Sequence, residues 1–309
     1  MKDSKELLYD KQSKIFSDTS EEHIKLTESW FDETTADYWL HNRMYEAADC
    51  IAGHESATWL TIGDGRWGLD SIRLKKRGIA NIIPTDICET LLKASKEKGL
   101  IDKYHIENAE KLSFPDNSFD YIFCKESFHH FPRPYIALYE MLRVASKAVI
   151  LVEPNDDPLV STIGFKTFIG YKIKNFLARK GLCKKPRFYG KTIFPDYGYE
   201  TSGNYVYSIS NREAQKIARG LNLPQLAFKG YNSHYIKGCE FEPADINKSA
   251  IFKEIVDTVN YQDEKCKLGL LAYSGIMLIF FKEKASSLTI NELKSRDWTI
   301  IDLPKNPYL

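Results

Sequence analysis

The ten residues from Trp59 to Gly68 read WLTIGDGRWG, a short apolar rise that breaks into three glycines with an aspartate and an arginine among them. Glycine lets a backbone turn tightly and pass close to a ligand, and a helix starting just afterwards offers unpaired N–H groups and a partial positive charge. Gly63, Gly65 and Gly68 have G-x-G-x-x-G spacing, which suits a nucleotide-containing ligand but equally describes glycines that simply end a strand. Asp86, about twenty residues on, favours the ligand, because a carboxylate closing a second strand can accept hydrogen bonds from both hydroxyls of a ribose. The same aspartate would also serve as a helix N-cap.

Outward from that bend, β-like runs alternate with amphipathic stretches, the pattern of a mostly parallel sheet covered on both faces. Strands are expected at 57–62, 81–85, 104–106, 119–124 and 148–152. Helices are expected around Leu69, Ile72 and Leu74, around Leu91, Leu92 and Ala94, and from Tyr135 to Val144. The rhythm stops from 154 to about 205, where aromatics and prolines crowd together, and resumes at Ser210, whose spacing to Glu213 is that of a capping box. Two last strands, 227–231 and 270–281, flank a helix over 251–259. Before Thr58 the chain reads as helical, with Trp30, Phe31, Tyr38, Trp39 and Met44 supplying apolar surface. The organisation expected is an N-terminal helical lid over 1–56, a core over 57–154, an inserted cap over 155–205, the rest of the sheet over 206–284 and a tail over 285–309.

Composition excludes several classes. The chain has 309 residues, 43% of them apolar, with 43 basic against 42 acidic side chains. It can bury a sizeable core but has no overall field to gather nucleic acid or anionic lipid. Six scattered cysteines without a C-x-x-C pair argue against a zinc knuckle or a disulfide framework. The polar N-terminus, MKDSKELLYDKQSKIF, lacks a signal-peptide apolar region, and the longest apolar run, Ile276 to Phe281, is too short to span a bilayer. A cytoplasmic protein is expected.

The stretch from Asn108 to Pro134, NAEKLSFPDNSFDYIFCKESFHHFPRP, resembles the middle of class I S-adenosylmethionine-dependent methyltransferases of the small-molecule, type 11-like branch. That branch carries D-A-E-x-L-P-F-x-D-x-S-F-D, then a strand and an H-H-F pair. The resemblance runs from about Trp59 to Pro154 and implies a Rossmann-like α/β fold, a seven-stranded, mostly parallel sheet with its last strand antiparallel. It also implies S-adenosyl-L-methionine as methyl donor and S-adenosyl-L-homocysteine as product. Carried over residue by residue, it places Gly63, Asp64 and Gly65 along the methionine part of the cofactor, Asp86 on the ribose and Ile87 beside the adenine. Asn108, Ala109 and Glu110 fall at the adenine edge, and Lys125 lies at the end of the fourth strand beneath the sulfonium. Phe31 to Trp39 resembles a lid helix, which offers Tyr38 to the methionine end and Arg43 to the cofactor carboxylate. Two positions depart from the pattern: Thr61 stands where the family has an acid, so Asp64 is the expected carboxylate for the amino group, and Trp67 stands at the third glycine, with Gly68 one residue later.

A sulfonium methyl is already activated, so the protein must align the acceptor, exclude water and remove a proton. His129 and His130, just past the fourth strand, are the expected bases for a hydroxyl acceptor. Glu126, His129 and His130 also resemble, in spacing, the E-x-x-E-H cluster of small-RNA 2'-O-methyltransferases, but no metal is expected. Between Lys166 and Lys191 nine basic residues and no acid are interleaved with apolar side chains, as for an anionic acceptor, a peripheral membrane contact through 163–191 or a solvated face. WLTIGDGRWG, CKESFHHFPRP and IALYEMLRV are similar to a branch associated with bacterial surface-polysaccharide genes, which implies a sugar, nucleotide- or lipid-linked, as acceptor. The rival expectations are an RNA methyltransferase, against which the near-zero charge and the CKES in place of D/N-P-P-F/Y count, and a non-catalytic cofactor-binding protein.

Overall fold

The computed structural model describes residues 4–17, 20–51, 56–156, 177, 180, 182, 199 and 204–308. Helices α1 (Ser4–Phe16), α2 (Glu21–Ser29), α3 (Ala36–Asn42) and the short α4 (Glu46–Asp49) precede β1 (Thr58–Ile62). The βα succession continues through α5 (Leu69–Lys76), β2 (Asn81–Asp86), α6 (Thr90–Glu97), β3 (His105–Ile106), β4 (Phe119–Lys125), α7 (Pro134–Val144) and β5 (Ala145–Pro154). It ends with α8 (Asn211–Gly220), β6 (Gln225–Tyr231), α9 (Ala250–Lys267), β7 (Gly275–Phe281), α10 (Ser287–Ser295) and β8 (Thr299–Asp302). Of the expected cap region, only 155, 156, 177, 180, 182, 199, 204 and 205 are described, so all nine basic residues between Lys166 and Lys191 except Lys180 lie outside the described residues.

The strands form one sheet in the order β3-β2-β1-β4-β5-β7-β6-β8. The first five pair in parallel, β7 runs antiparallel to β5 and β6, and β8 runs antiparallel to β6. The Rossmann-like, mostly parallel arrangement is as expected, but the strand number is a correction: β8 comes from the tail and makes eight. Its pairing of Leu226 with Ile301 covers an edge that β6 would otherwise leave open, and Leu293 and Trp298, ahead of β8, are buried in the core. Four residues of TIID between a polar helix and a proline gave no clear strand pattern. The last long strand also starts at Gly275 instead of Leu270, since Leu268 and Leu270 are exposed in the preceding turn.

Period-two alternation sends neighbouring residues into opposite faces of the sheet, and helices cover both. Leu60, Ile122, Leu151 and Phe280 pack with Ala137, Leu138 and Met141 of α7 and Ala214 of α8. Trp59, Phe123, Ile150 and Ile279 face Tyr45, Leu74 and Leu293. Caps set the helix starts: Ser210 and Glu213 form the expected reciprocal box at α8, and Ser20, Thr35 and Ser249 accept from backbone N–H groups at α2, α3 and α9. The N-terminal helices are tied to the sheet's C-terminal end. Ala36 and Leu40 of α3 pack on Phe252, Ile255 and Val259 of α9, and the Trp67 indole donates to Thr27 of α2 at 3.0 Å. Among the described residues no helix is long and apolar enough to cross a membrane, and the five cysteines there are buried thiols.

Candidate cofactor and active site

One cavity of about 560 Å3 opens where β1, β2 and β4 end, roofed by α1, α2 and α3. The glycine bend forms part of its floor. Gly63 has φ +75°, and a Cβ there would lie 2.4 Å from the Cβ of Ser127, whose hydroxyl donates to the Gly63 carbonyl at 2.9 Å. This contact draws the ends of β1 and β4 together, and no side chain fits between them. Trp67, at the family's third glycine, holds φ 66° and is buried, its apolar burial and indole hydrogen bond offsetting the left-handed backbone.

Asp86 closes β2 against this bend. Its Oδ2 accepts from the Gly65 N–H at 3.0 Å and its Oδ1 from the Cys88 N–H at 2.7 Å, while a Cβ on Gly65 would lie 2.5 Å from the carboxyl carbon. Loss of water around it pushes its pKa up to about 6, against the pull of those N–H groups. A carboxylate has about four acceptor sites, so capacity remains beyond the backbone bonds from Gly65, Cys88 and Ile87. The residue therefore fits a neighbour bearing two hydroxyl donors. Asp64 is arranged differently: its oxygens accept from the Asp70 and Ser71 N–H groups at 3.0 and 2.9 Å and from the Thr61 hydroxyl at 2.8 Å. Burial, then the Asp70 charge, pushes its pKa well up. It serves the N-terminus of α5.

Ile87, Asn108, Ala109 and Glu110 line the next part of the wall. Asn108 turns back to accept from the Glu110 N–H at 2.9 Å, and Glu110 accepts from the Arg133 backbone N–H and Nε at 2.8 and 2.5 Å. On the other wall, at the end of β4, the Lys125 ammonium lies 3.5 Å from both Asp70 and Glu126. Burial opposes that charge, but Asp70 foremost holds it above its ordinary pKa. His41 of α3 lies 3.3 Å from Asp37 and 3.5 Å from Glu126. Although desolvation works against it, these carboxylates raise its pKa to about 9, so it is an imidazolium at neutral pH. Glu126 is pushed up by burial and pulled further down by Lys125 and His41, to well below the usual carboxylate range.

Both predicted histidines border the cavity. The His129 Nδ1 is 2.6 Å from Oε2 of Glu153, a fully buried side chain on β5 whose Oε1 accepts from the Ser127 and Phe128 N–H groups at 3.1 and 3.0 Å. The carboxylate thus fixes the turn after β4 and holds the ring in the tautomer that carries its proton on Nδ1. The His130 ring stacks at a tilt 4.0 Å from that of His129, and its carbonyl accepts from the Gln12 side chain of α1.

Eleven of the thirteen sequence-predicted residues line the cavity: Gly63, Asp64, Gly65, Asp86, Ile87, Asn108, Ala109, Glu110, Lys125, His129 and His130. Tyr38 and Arg43 do not. The Tyr38 ring carries the Arg73 guanidinium at 5.1 Å, and Arg43 pairs with Asp263 at 3.3 Å, donates to the Asn232 carbonyl and lies over Trp39. The same lid segment instead turns Asp37 and His41 inward, the i and i+4 positions of one helix face. Glu153, Arg73, Tyr235 and Glu240 escaped the sequence reading. Only Glu153 left a trace, as an acid ending the apolar run AVILV. Among the described residues one group of metal-ligating type converges, Asp37, Cys239 and Glu240, within 4.8 Å of one another, away from the Glu126, His129 and His130 spacing.

A methyltransferase-domain family profile matches residues 60–152. Residues 60–152 are a class I S-adenosylmethionine-dependent methyltransferase domain. That domain implies S-adenosyl-L-methionine as methyl donor and a small molecule as acceptor. No curated protein matches the chain. Similar solved structures include the YcgJ protein of Bacillus subtilis, 19% identical, covering 79% of this chain and 99% of that one with a TM-score of 0.49. A SAM-dependent methyltransferase of Thermotoga maritima is 15% identical, covering 84% and 96% with a TM-score of 0.48. Another, from Archaeoglobus fulgidus, is 15% identical, covering 79% and 94% with a TM-score of 0.45.

Proposed function

We propose that this methyltransferase acts on a hydroxyl group of a small molecule, a sugar or sugar-containing metabolite of surface-polysaccharide synthesis, with His129 as general base. The observation that carries the reading is the 2.6 Å contact between His129 Nδ1 and the buried Glu153 at the edge of the cavity. A ring held in that tautomer has its lone pair on Nε2, and a carboxylate behind it stabilises the imidazolium that forms when a hydroxyl proton is taken. His41 is unsuited to the task, since two carboxylates keep it charged. The sugar rests on the resemblance of WLTIGDGRWG, CKESFHHFPRP and IALYEMLRV alone.

The residues present fit the cofactor: a Cβ on Gly65 would meet the Asp86 carboxylate, so glycine lets that side chain lie against the bend, and Asp86 lines the cavity with acceptor capacity left over. Asp86 would take the ribose hydroxyls, Asn108, Ala109 and Glu110 would border the adenine, and Gly63 would let the backbone pass the methionine part. When bound, S-adenosylmethionine supplies a methyl group activated for in-line transfer to an oxygen. The chain orients the acceptor hydroxyl, excludes water with α1 to α3, and passes the released proton to Nε2 of His129.

The test is turnover of the full chain with S-adenosylmethionine against a panel of sugars and nucleotide-linked sugars. Alanine at His129 should lower kcat by about 10²–10⁴-fold with S-adenosylhomocysteine affinity unchanged. A folded variant with wild-type turnover would remove His129 from the chemistry.

A further inference from the structure

Arg73 stands out among the cations on the cavity. It projects from the middle of α5, is 3% exposed and lines the cavity wall. One guanidinium nitrogen donates to the Trp30 carbonyl at 2.9 Å, while Nε has no hydrogen-bond partner. Its flat faces are occupied, lying 5.1 Å from the Tyr38 ring centroid and 5.9 Å from that of Tyr45. No carboxylate reaches it within ion-pair distance among the described residues. Its neighbours are provided for: Arg77, one turn on, pairs with Asp49 at 3.1 Å, Lys125 faces Asp70 and Glu126, and His41 faces Asp37 and Glu126.

A buried guanidinium is always charged, and burying it without an anion is costly unless a ligand supplies one. The usual anion site in this kind of fold, the N-terminus of the first core helix, is already taken, because Asp64 accepts from the Asp70 and Ser71 N–H groups. An anion entering this end of the cavity finds Arg73 unmatched.

We infer that Arg73 binds the α-carboxylate of the cofactor's amino-acid end, the role that the sequence gives to Arg43. The inference rests on the cofactor reading above and assigns one more residue to it. A guanidinium meets a carboxylate with charge-assisted N–H donors, and Arg73, buried with one nitrogen lacking a partner, has its hydrogen bonding incomplete. Tyr38 then serves the methionine end indirectly, by stacking on the arginine.

Calorimetric titration of the full chain with two ligands tests this. S-Adenosylhomocysteine carries the carboxylate; 5'-methylthioadenosine keeps the nucleoside and thioether and lacks the amino-acid head. Arg73→Met should weaken S-adenosylhomocysteine by roughly 30–100-fold and leave 5'-methylthioadenosine within about threefold, with Arg73→Lys between. Equal weakening of both ligands, or unchanged S-adenosylhomocysteine binding by a folded variant, would overturn the assignment. Should Arg73→Met not fold, the wild type decides: the methyl ester of S-adenosylhomocysteine should bind at least about tenfold more weakly than the acid, and equal affinity refutes the inference. If the wild type binds the acid and the ester equally, only the Arg73 assignment fails; if it binds neither nucleoside, the cofactor reading fails first and takes this inference with it.

Discussion

The two walls of the cavity are built by different means. On the wall formed by β1, β2 and the 107–110 turn, each residue sits within a few positions of a strand end, and backbone N–H groups or short local bonds position it: Gly65 and Cys88 hold Asp86, and Glu110 holds Asn108. On the opposite wall, side chains meet across long stretches of chain. Glu153 reaches His129 from the neighbouring strand, His41 reaches Glu126 from the lid, and Arg73 reaches back to Trp30. The first wall is a property of strand–turn–helix geometry that many sequences share; the second is a property of how this chain's N-terminal helices and β5 pack. On the proposed reading the nucleoside part of the cofactor belongs on the first wall, and its amino-acid end and the acceptor with its proton on the second.

Changes on the two walls should accordingly separate in kinetics. After His129→Ala, the largest effect on kcat is expected from Glu153→Gln, which keeps the shape but withdraws the charge behind His129. It should lower kcat by about 10²-fold with S-adenosylhomocysteine affinity unchanged, and steady-state rates read both. Because the imidazolium loses its carboxylate, the acid limb of the kcat profile should also move to lower pH, a shift that simple loosening of the turn would not produce.

A smaller effect belongs to the other wall. Asp86 has its pKa pushed up to about 6, and only the ionised form offers all its acceptors to two hydroxyls. S-Adenosylhomocysteine affinity should hold above pH 7 and decline as pH falls through about 6, by roughly tenfold at pH 5. Binding that is flat from pH 8 to 5 would mean that Asp86 takes no part. The smallest effect is expected from Arg43→Ala: with its charge spent on Asp263 outside the cavity, cofactor affinity should change by less than about twofold in the same titration. A large loss would return Arg43 to the cofactor.

The same division governs how far the sequence could be read. Spacing located the glycine bend and Asp86, and the family resemblance the turn at Asn108, because a strand's end and the residues just beyond it are set locally; the strands themselves are legible from alternation in runs such as Phe119 to Cys124. The second wall was legible only in part. His129 and His130 could be placed by their distance from β4, but nothing in AVILVEP tells that Glu153 turns toward His129 and not toward solvent. The lid helix was recognisable while its rotation was not, so Tyr38 and Arg43 were favoured where the packing of Ala36 and Leu40 on α9 turns Asp37 and His41 inward. In sequence Arg73 is one of four basic residues in RLKKR, with nothing to mark it from Lys75, Lys76 or Arg77, and the tail strand β8 is too short to show a period.

The central claim, that this cavity holds the cofactor with Asp86 on its ribose, is most directly tested by calorimetric titration of S-adenosylhomocysteine into the full chain and into Asp86→Ala at pH 7.5. The account predicts one site per chain in the wild type and a loss of about 2–3 kcal/mol, near 30–150-fold in Kd, in the folded variant. A folded wild type that binds no S-adenosylhomocysteine, or an Asp86→Ala protein that binds it as tightly as the wild type, would contradict it.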